Sequence, residues 1–189
     1  AANITIGYDD GTFKPENSLS RAHISAFLAR AMKFADGKTT PGVSAKEMKV
    51  HFLDVDQGDS IFIQAPNGKT MLIDGGTKAA GEKVVAYLKS LKVNKIDYVV
   101  ATHPDADHIG GLIDIVNTFE VWEFIDSGKV HTTATYEQLL TAVDSKGVKY
   151  TEPKPGDLIA LDSLLKTQVL HADAIASDNN EASIVLKMT

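Results

Sequence analysis

Cysteine is absent from the 189-residue chain, which excludes a disulfide framework and a thiolate metal site. Long apolar runs are missing too: none approaches the roughly 18 residues a membrane-crossing helix needs. Basic charge is in short supply. Nineteen Lys and Arg stand against 25 Asp and Glu, a net charge of −6, so the chain lacks the overall electrostatic character of a nucleic-acid binder. Ala1-Ala2-Asn3 opens neither a basic nor an apolar leader region, so these residues show no signal peptide. Internal repeats and low-complexity segments are absent as well. What is present is an ordinary globular composition, 43% hydrophobic and 23% charged, which argues against wholesale disorder.

The charge is unevenly placed. Residues 1–46 carry six basic and four acidic groups, net +2, and residues 47–189 carry 13 and 21, net −8, together the −6 of the whole. Between them Lys38-Thr39-Thr40-Pro41-Gly42-Val43-Ser44-Ala45-Lys46 has little apolar periodicity and reads as a linker, 38–46. Residues 47–189 are numerous enough to bury roughly two-thirds of their surface and fold alone. Residues 1–37, short and without a disulfide, are not, and read as part of something larger.

In that first segment Gly7-Tyr8-Asp9-Asp10-Gly11-Thr12-Phe13 is turn-rich, and Ser20 is placed to cap a helix whose apolar stripe runs through Ala22, Ala26, Phe27, Ala29 and Met32. The stretch from Gly7 to His23 resembles an S-layer homology repeat, patterned G-x-x-D-G-x-F-x-P and then I/L-T/S-R-A-E, with His23 in place of the usual Glu. The resemblance implies a partial repeat at 1–37 whose first helix lies before residue 1. It also implies binding to cell-wall polysaccharide, with Arg21 as the glycan-contacting residue, and an extracellular location associated with the cell wall or S-layer.

The second segment alternates strand and helix signals. Strands are expected over 48–55, 60–65, 70–74, 97–102, 121–125, 157–161, 167–171 and 183–188, and helices around 84–91, from 110 onward and over 132–146, with Gly147 as a stop. Asn67-Gly68 between two apolar runs predicts a hairpin in which both residues take positive φ. Early strands and later interleaved helices predict a layered α/β or α+β sandwich.

The most informative stretch is His103-Pro104-Asp105-Ala106-Asp107-His108, four ligating side chains in six residues after an apolar strand. A strand end is rigid, and the loop beyond it can fold several side chains onto one point. Imidazole with carboxylate suits Zn²⁺, Mn²⁺ or Fe rather than Ca²⁺ or Mg²⁺. The plain alternative is a polar loop in which Asp107 or His108 opens the next helix; four ligands so closely spaced favour the metal. Elsewhere His51 reads as packed or edge-exposed, His131 as a weak cleft candidate and Trp122 as core or edge packing. His171 ends a strand before the Asn179 loop and is a candidate to line the site.

Phe52-Leu53-Asp54-Val55-Asp56-Gln57-Gly58-Asp59-Ser60, then Leu72-Ile73-Asp74-Gly75-Gly76, then Thr102 through Gly111 together resemble the metallo-β-lactamase fold, and more closely its ComEC-like competence branch. That branch reads F-L-D-V-G-Q-G-D-S, L-I-D-G-G and S/T-H-x-D-x-D-H-I-G-G, and Asp56 departs from it where glycine is usual. Asn179-Asn180-Glu181-Ala182-Ser183-Ile184-Val185-Leu186 is similar to its later N-N-x-S-L-V-L.

The resemblance implies an α+β, αββα-sandwich fold over 47–189 and two divalent ions, zinc or manganese. His103 and Asp105 would bind the first ion, and Asp107 and His108 the second. Asp107 and Asp74 are expected in the catalytic set, with Asp74 steadying the loop. Asn179 or Asn180 falls where the family has a further histidine ligand. The family's bridging aspartate and last histidine would fall beyond Thr189, so the C-terminal half of the fold is expected to be missing and the ligand set incomplete. The implied activity is hydrolysis of a phosphodiester, with nucleic acid as a candidate substrate, by attack of metal-bound hydroxide. β-Lactam hydrolysis is disfavoured by Asp105 standing where lactamases use histidine. The rival expectation is a non-catalytic cell-wall-binding module with an incomplete or vestigial hydrolase fold.

Overall fold

A computed structural model describes residues 47–189. The S-layer-like segment with Arg21, and the linker 38–46, lie outside the described residues. No helix among the described residues is long and apolar enough to cross a membrane.

Strands β1 (Lys49–Phe52), β2 (Ile61–Gln64) and β3 (Thr70–Ile73) form an antiparallel meander. A 3₁₀ turn and helix α1 (Gly81–Ser90) then lead to β4 (Lys95–Ala101), parallel to β3. Two short helices follow, α2 (Ala106–Ile109) and α3 (Leu112–Thr118), and then β5 (Glu120–Asp126), α4 (Ala134–Ser145) and β6 (Lys149–Thr151) complete a six-stranded sheet in sequential order. Strands β7 (Leu158–Ile159), β8 (Thr167–His171) and β9 (Val185–Met188) form a second, antiparallel sheet.

The layering follows from period-two alternation. Phe62, Leu72, Val99 and Phe124 point to one face of the large sheet and pack under Val84, Leu88, Leu112, Ile115 and Leu139 of the helices. Ile63, Met71, Tyr98, Val100 and Ile125 point to the other face and meet Ile159, Leu161, Val169 and Ile184 of the second sheet. Burying both faces explains why β4 reads as a continuous apolar run rather than an alternating one. The described residues thus hold a helix layer, a sheet and a second sheet, three layers of the expected sandwich.

Several local expectations need correction. The β2–β3 connection is not a two-residue turn with Asn67 and Gly68 both at positive φ. Gly68 alone takes that conformation, at φ 90°, and its N–H donates to Ala65 O while Ala65 N–H donates to Lys69 O. Pro66 favours a type I turn followed by a left-handed glycine, a three-residue loop. The fixed φ of Pro66 and the side-chain amide of Asn67, spent on Leu161 O at 2.9 Å, account for the choice. Residues 103–108 are not wholly a loop, because α2 begins at Ala106. Strands expected at 48–55 and 157–161 shorten to β1 and β7, and β6 carried no expectation. Trp122 is not a core residue: β6 pairs only with residues 123–125 of β5, and the indole stands 67% exposed beyond that pairing.

Asp126 ends β5 with its carboxyl buried. It accepts the Gly128 N–H at 2.7 Å. Burial pushes this carboxyl up to about 6, with Glu152 nearby adding to the rise. The unfolded carboxyl loses its proton near the ordinary 3.8, so between that value and about 6 the folded state binds more protons than the unfolded one. The contribution of this group to stability is therefore greatest below about pH 4 and is lost as pH rises through 6. A rise of about two units corresponds to about 3 kcal/mol. Asp126→Asn is expected to gain about 2 kcal/mol at pH 7 and to flatten this fall, as read by urea denaturation at pH values across the window. An unchanged slope would contradict the assignment.

Candidate metal centre

The residues singled out around His103 gather where the parallel strands β3 and β4 end, the edge at which open α/β sheets bind ligands. Asp74, the residue after β3, adopts φ 57° and is 2% exposed. Its backbone is fixed by N–H donation to Val100 O at 2.9 Å, and its carbonyl accepts the Ser60 hydroxyl at 3.1 Å. The carboxylate then faces the end of β4. Oδ1 accepts the Thr102 N–H at 2.8 Å, and Oδ2 accepts the Thr102 hydroxyl at 2.6 Å and His108 Nδ1 at 2.8 Å.

These bonds settle where the protons are. A carboxylate only accepts, so the Thr102 hydroxyl spends its proton on Asp74. Its oxygen is left to accept from His103 Nδ1, 3.0 Å away. Both histidines then carry their proton on Nδ1 and present the lone pair of Nε2. The two rings lie with centroids 4.0 Å apart. Burial, with the neighbouring His108, pulls the His103 imidazole down. Burial also acts to lower His108, but its bond to the Asp74 carboxylate outweighs this and the net movement is upward.

His103 Nε2 is buried and has no hydrogen-bond partner, although Asp105 Oδ2 lies 3.4 Å away. The tautomer set by Thr102 turns the Nε2 lone pair toward this carboxylate oxygen, with no hydrogen bond between them. Asp105 Oδ1 accepts the Asn179 side-chain N–H at 2.7 Å. Asp107 Oδ2 accepts the Gln57 amide at 3.0 Å, and that bond holds the Asp107 carboxyl below the usual carboxylate range.

The backbone brings these parts together. Gly58, at φ 83°, passes so close to the Asp107 carbonyl that a Cβ would overlap it. Gly75 N–H donates to His108 O at 2.8 Å, and Gly111 N–H to Gly76 O at 3.1 Å, tying the ends of β3 and β4 together.

The structure therefore brings together Asp74, His103, Asp105, Asp107, His108 and Asn179. It does not bring Asn180, which is exposed and turned onto Asp178, whose Oδ1 takes its N–H at 2.8 Å. Nor does it bring His171, whose exposed ring spends Nδ1 on Ser183 O at 3.0 Å. His131 bonds the capping Thr133 at the start of α4, and His51 sits between Tyr87 and Gln64. Sequence reasoning missed Thr102 and Gln57. Both lie inside the quoted motifs, but their roles depend on pairings across 28 and 50 residues.

Imidazole nitrogens and carboxylates suit a divalent ion, and the orphaned Nε2 opposite a carboxylate oxygen is the arrangement a cation between them would satisfy. No three His, Asp or Glu side chains converge as a metal-holding group among the described residues.

The family model described as Metallo-beta-lactamase superfamily matches residues 53–172, and that of the S-layer homology domain matches residues 1–24. ComE operon protein 3 of Bacillus subtilis is 30% identical over 163 residues, 76% of this chain and 21% of that protein. A UPF0173 metal-dependent hydrolase of Thermodesulfovibrio yellowstonii is 45% identical over 60 residues, 31% of this chain and 22% of its own length. The chain thus spans about a fifth of the length of these curated relatives. A Cronobacter sakazakii metallo-beta-lactamase structure superposes with a TM-score of 0.51 at 18% identity, covering 74% of this chain and 54% of that one. At that identity the likeness shows the shared fold.

Asp74→Ala leaves the Thr102 N–H and His108 Nδ1 without their buried acceptor, so it is expected to cost about 3 kcal/mol. Chemical denaturation measures this, and a loss below about 1 kcal/mol would contradict the bracing role.

Proposed function

As a member of the metallo-beta-lactamase superfamily, the chain carries a hydrolase framework, and we propose that its site acts on phosphodiesters with divalent metal ions. The observation that carries this reading is the buried, unpartnered Nε2 of His103 opposite Asp105 Oδ2. The same superfamily implies divalent metals. His103 and Asp105 would hold one ion, and Asp107 and His108 a second. Bound ions would supply positive charge to the reacting phosphoryl oxygens.

The chain's own residues orient this chemistry. Asp74 keeps the proton of His108 on Nδ1, so that Nε2 remains a donor of electrons. Thr102 does the same for His103. Gln57 keeps Asp107 ionised and fixes its carboxylate plane. Zinc and manganese both fit an imidazole–carboxylate set, and the Asp105 carboxylate shifts the preference toward manganese. Nucleic acid is the substrate class proposed from the likeness to the competence branch. The match of residues 1–24 to the S-layer homology domain supports a cell-surface location with cell-wall polysaccharide as partner.

One observation favours a second reading, a surface-binding module with an incomplete centre: no three ligating side chains converge among the described residues. Metal content separates the two. After separate incubation with Mn²⁺ and Zn²⁺, elemental analysis of the chain is expected to find at least one retained ion, lost in His103→Ala. The loaded chain is expected to cleave bis-(p-nitrophenyl) phosphate, with about a hundredfold loss or more in Asp107→Ala. No retained ion and no turnover would overturn the first reading in favour of the second.

A further inference from the structure

Asp105 carries the two contacts on which the His103 side of the site turns, and one of them comes from far along the chain. Asn179 belongs to residues 172–184, which run between β8 and β9 as turns and bends without helix or strand. Such a segment has no ladder to hold it and depends on individual ties. At its far end Ile184 N–H donates to Thr102 O at 2.9 Å, and the Ser183 carbonyl meets His171 Nδ1 at 3.0 Å. Within it, Ala176 N–H donates to Asp173 O at 3.2 Å, and Ala182 N–H to Asn179 O at 3.1 Å. None of these bonds fixes the 173–179 turn against the large sheet.

Lys129 does. Its half-buried side chain crosses from the loop after β5 and donates its ammonium to the carbonyl of Ala176, which is itself buried. The origin of the tie is rigid. Asp126 holds the Gly128 N–H at 2.7 Å, and Gly128 packs so closely on Ala174 that a Cβ would come 3.2 Å from the Ala174 Cβ. Three residues beyond Ala176, Asn179 donates to Asp105 Oδ1 at 2.7 Å, which leaves Oδ2 turned toward His103 Nε2 at 3.4 Å.

We infer that Lys129 is a positioning residue. By fixing the 173–179 turn to the loop after β5, it holds the Asn179 amide on Asp105 and so sets the carboxylate oxygen that faces His103. Asn179, expected from its place in the sequence to stand in for a ligand, instead donates to one. The part of this inference that concerns metal rests on the function proposed above; the tie itself does not.

The test uses the full 189-residue chain and begins without metal. Hydrogen exchange of the Asn179 side-chain amide, followed by NMR, is expected to be slow in the wild type and at least about tenfold faster in Lys129→Met. Lys129→Arg, which can still reach the carbonyl, should restore it. Backbone amides of β4 and β5 serve as the folding control and should not change. Asn179 exchange in Lys129→Met equal to wild type overturns the inference.

A second readout is Mn²⁺ affinity by calorimetry. Lys129→Met is expected to weaken binding about tenfold, the lower end of what orienting partners of ligands contribute. It should add nothing in an Asn179→Ala background, because both act through the same carboxylate. Additive losses overturn the proposed route. A wild-type chain that binds no Mn²⁺ overturns the metal reading, while amide exchange still decides whether Lys129 holds Asn179.

Discussion

The buried Asp74 carboxylate is the group on which the rest of the centre depends. Removed from water, an ionised carboxylate costs several kcal/mol unless hydrogen bonds replace its solvation. Here three donors do so: the Thr102 N–H, the Thr102 hydroxyl and His108 Nδ1. The same three bonds that stabilise the charge fix the Thr102 hydroxyl proton. That in turn directs the proton of His103 onto Nδ1 and frees its Nε2. One buried charge therefore joins β3 to the end of β4 and sets the tautomers of both histidines. The structural and chemical roles cannot be separated, since any acceptor strong enough to hold the strands also orders the protons.

Such an arrangement demands a backbone that permits side chains from distant segments to meet. Gly58 lies against the Asp107 carbonyl, closer than any side chain would allow, and this brings the neighbouring Gln57 amide to Asp107 Oδ2. The glycines after β3 exchange backbone bonds with the residues around α2 and α3, which aligns the loop that begins at His103. Below them the parallel strands are buried on both faces, by helices on one side and the second sheet on the other. The rigidity of the site is thus inherited from packing at the sheet, and its precision from close backbone approach at the edge.

Much of this was legible in the sequence because it is local. Alternation predicts the meander, the apolar run Asp97 to Thr102 predicts a buried strand, and the cluster from His103 to His108 singles out the candidate centre. The three-residue strand β6 left no signal, being too short for a period and mostly exposed. The hairpin was expected with the wrong turn because Pro66 and the reach of Asn67 to Leu161 outweigh the preference of the Asn-Gly pair itself. Lys129 was invisible for a different reason. Its partner is a backbone carbonyl 47 residues away, and a carbonyl carries no sequence identity. Asn179 donates to Asp105, and whether an asparagine offers its oxygen or its N–H to a neighbouring group depends on which end of its amide faces that group, which only tertiary structure sets.

Charge links this geometry to the kind of substrate proposed. Residues 47–189 carry 13 basic and 21 acidic groups, so a polyanion meets net repulsion at long range. The nearby lysines do little to reverse it: Lys129 is committed to Ala176, Lys78 to Gln138, and Lys83 pairs with Asp54. Divalent ions held by His103, Asp105, Asp107 and His108 would be the strongest local positive charge such a site could acquire, and a bound ion can invert the electrostatics of its surroundings. Affinity for an anionic substrate would then follow metal loading rather than the charge of the chain. Binding would be confined to the few groups that reach the ions, which suits a site that takes one phosphodiester linkage at a time better than a surface that grips a duplex along its backbone.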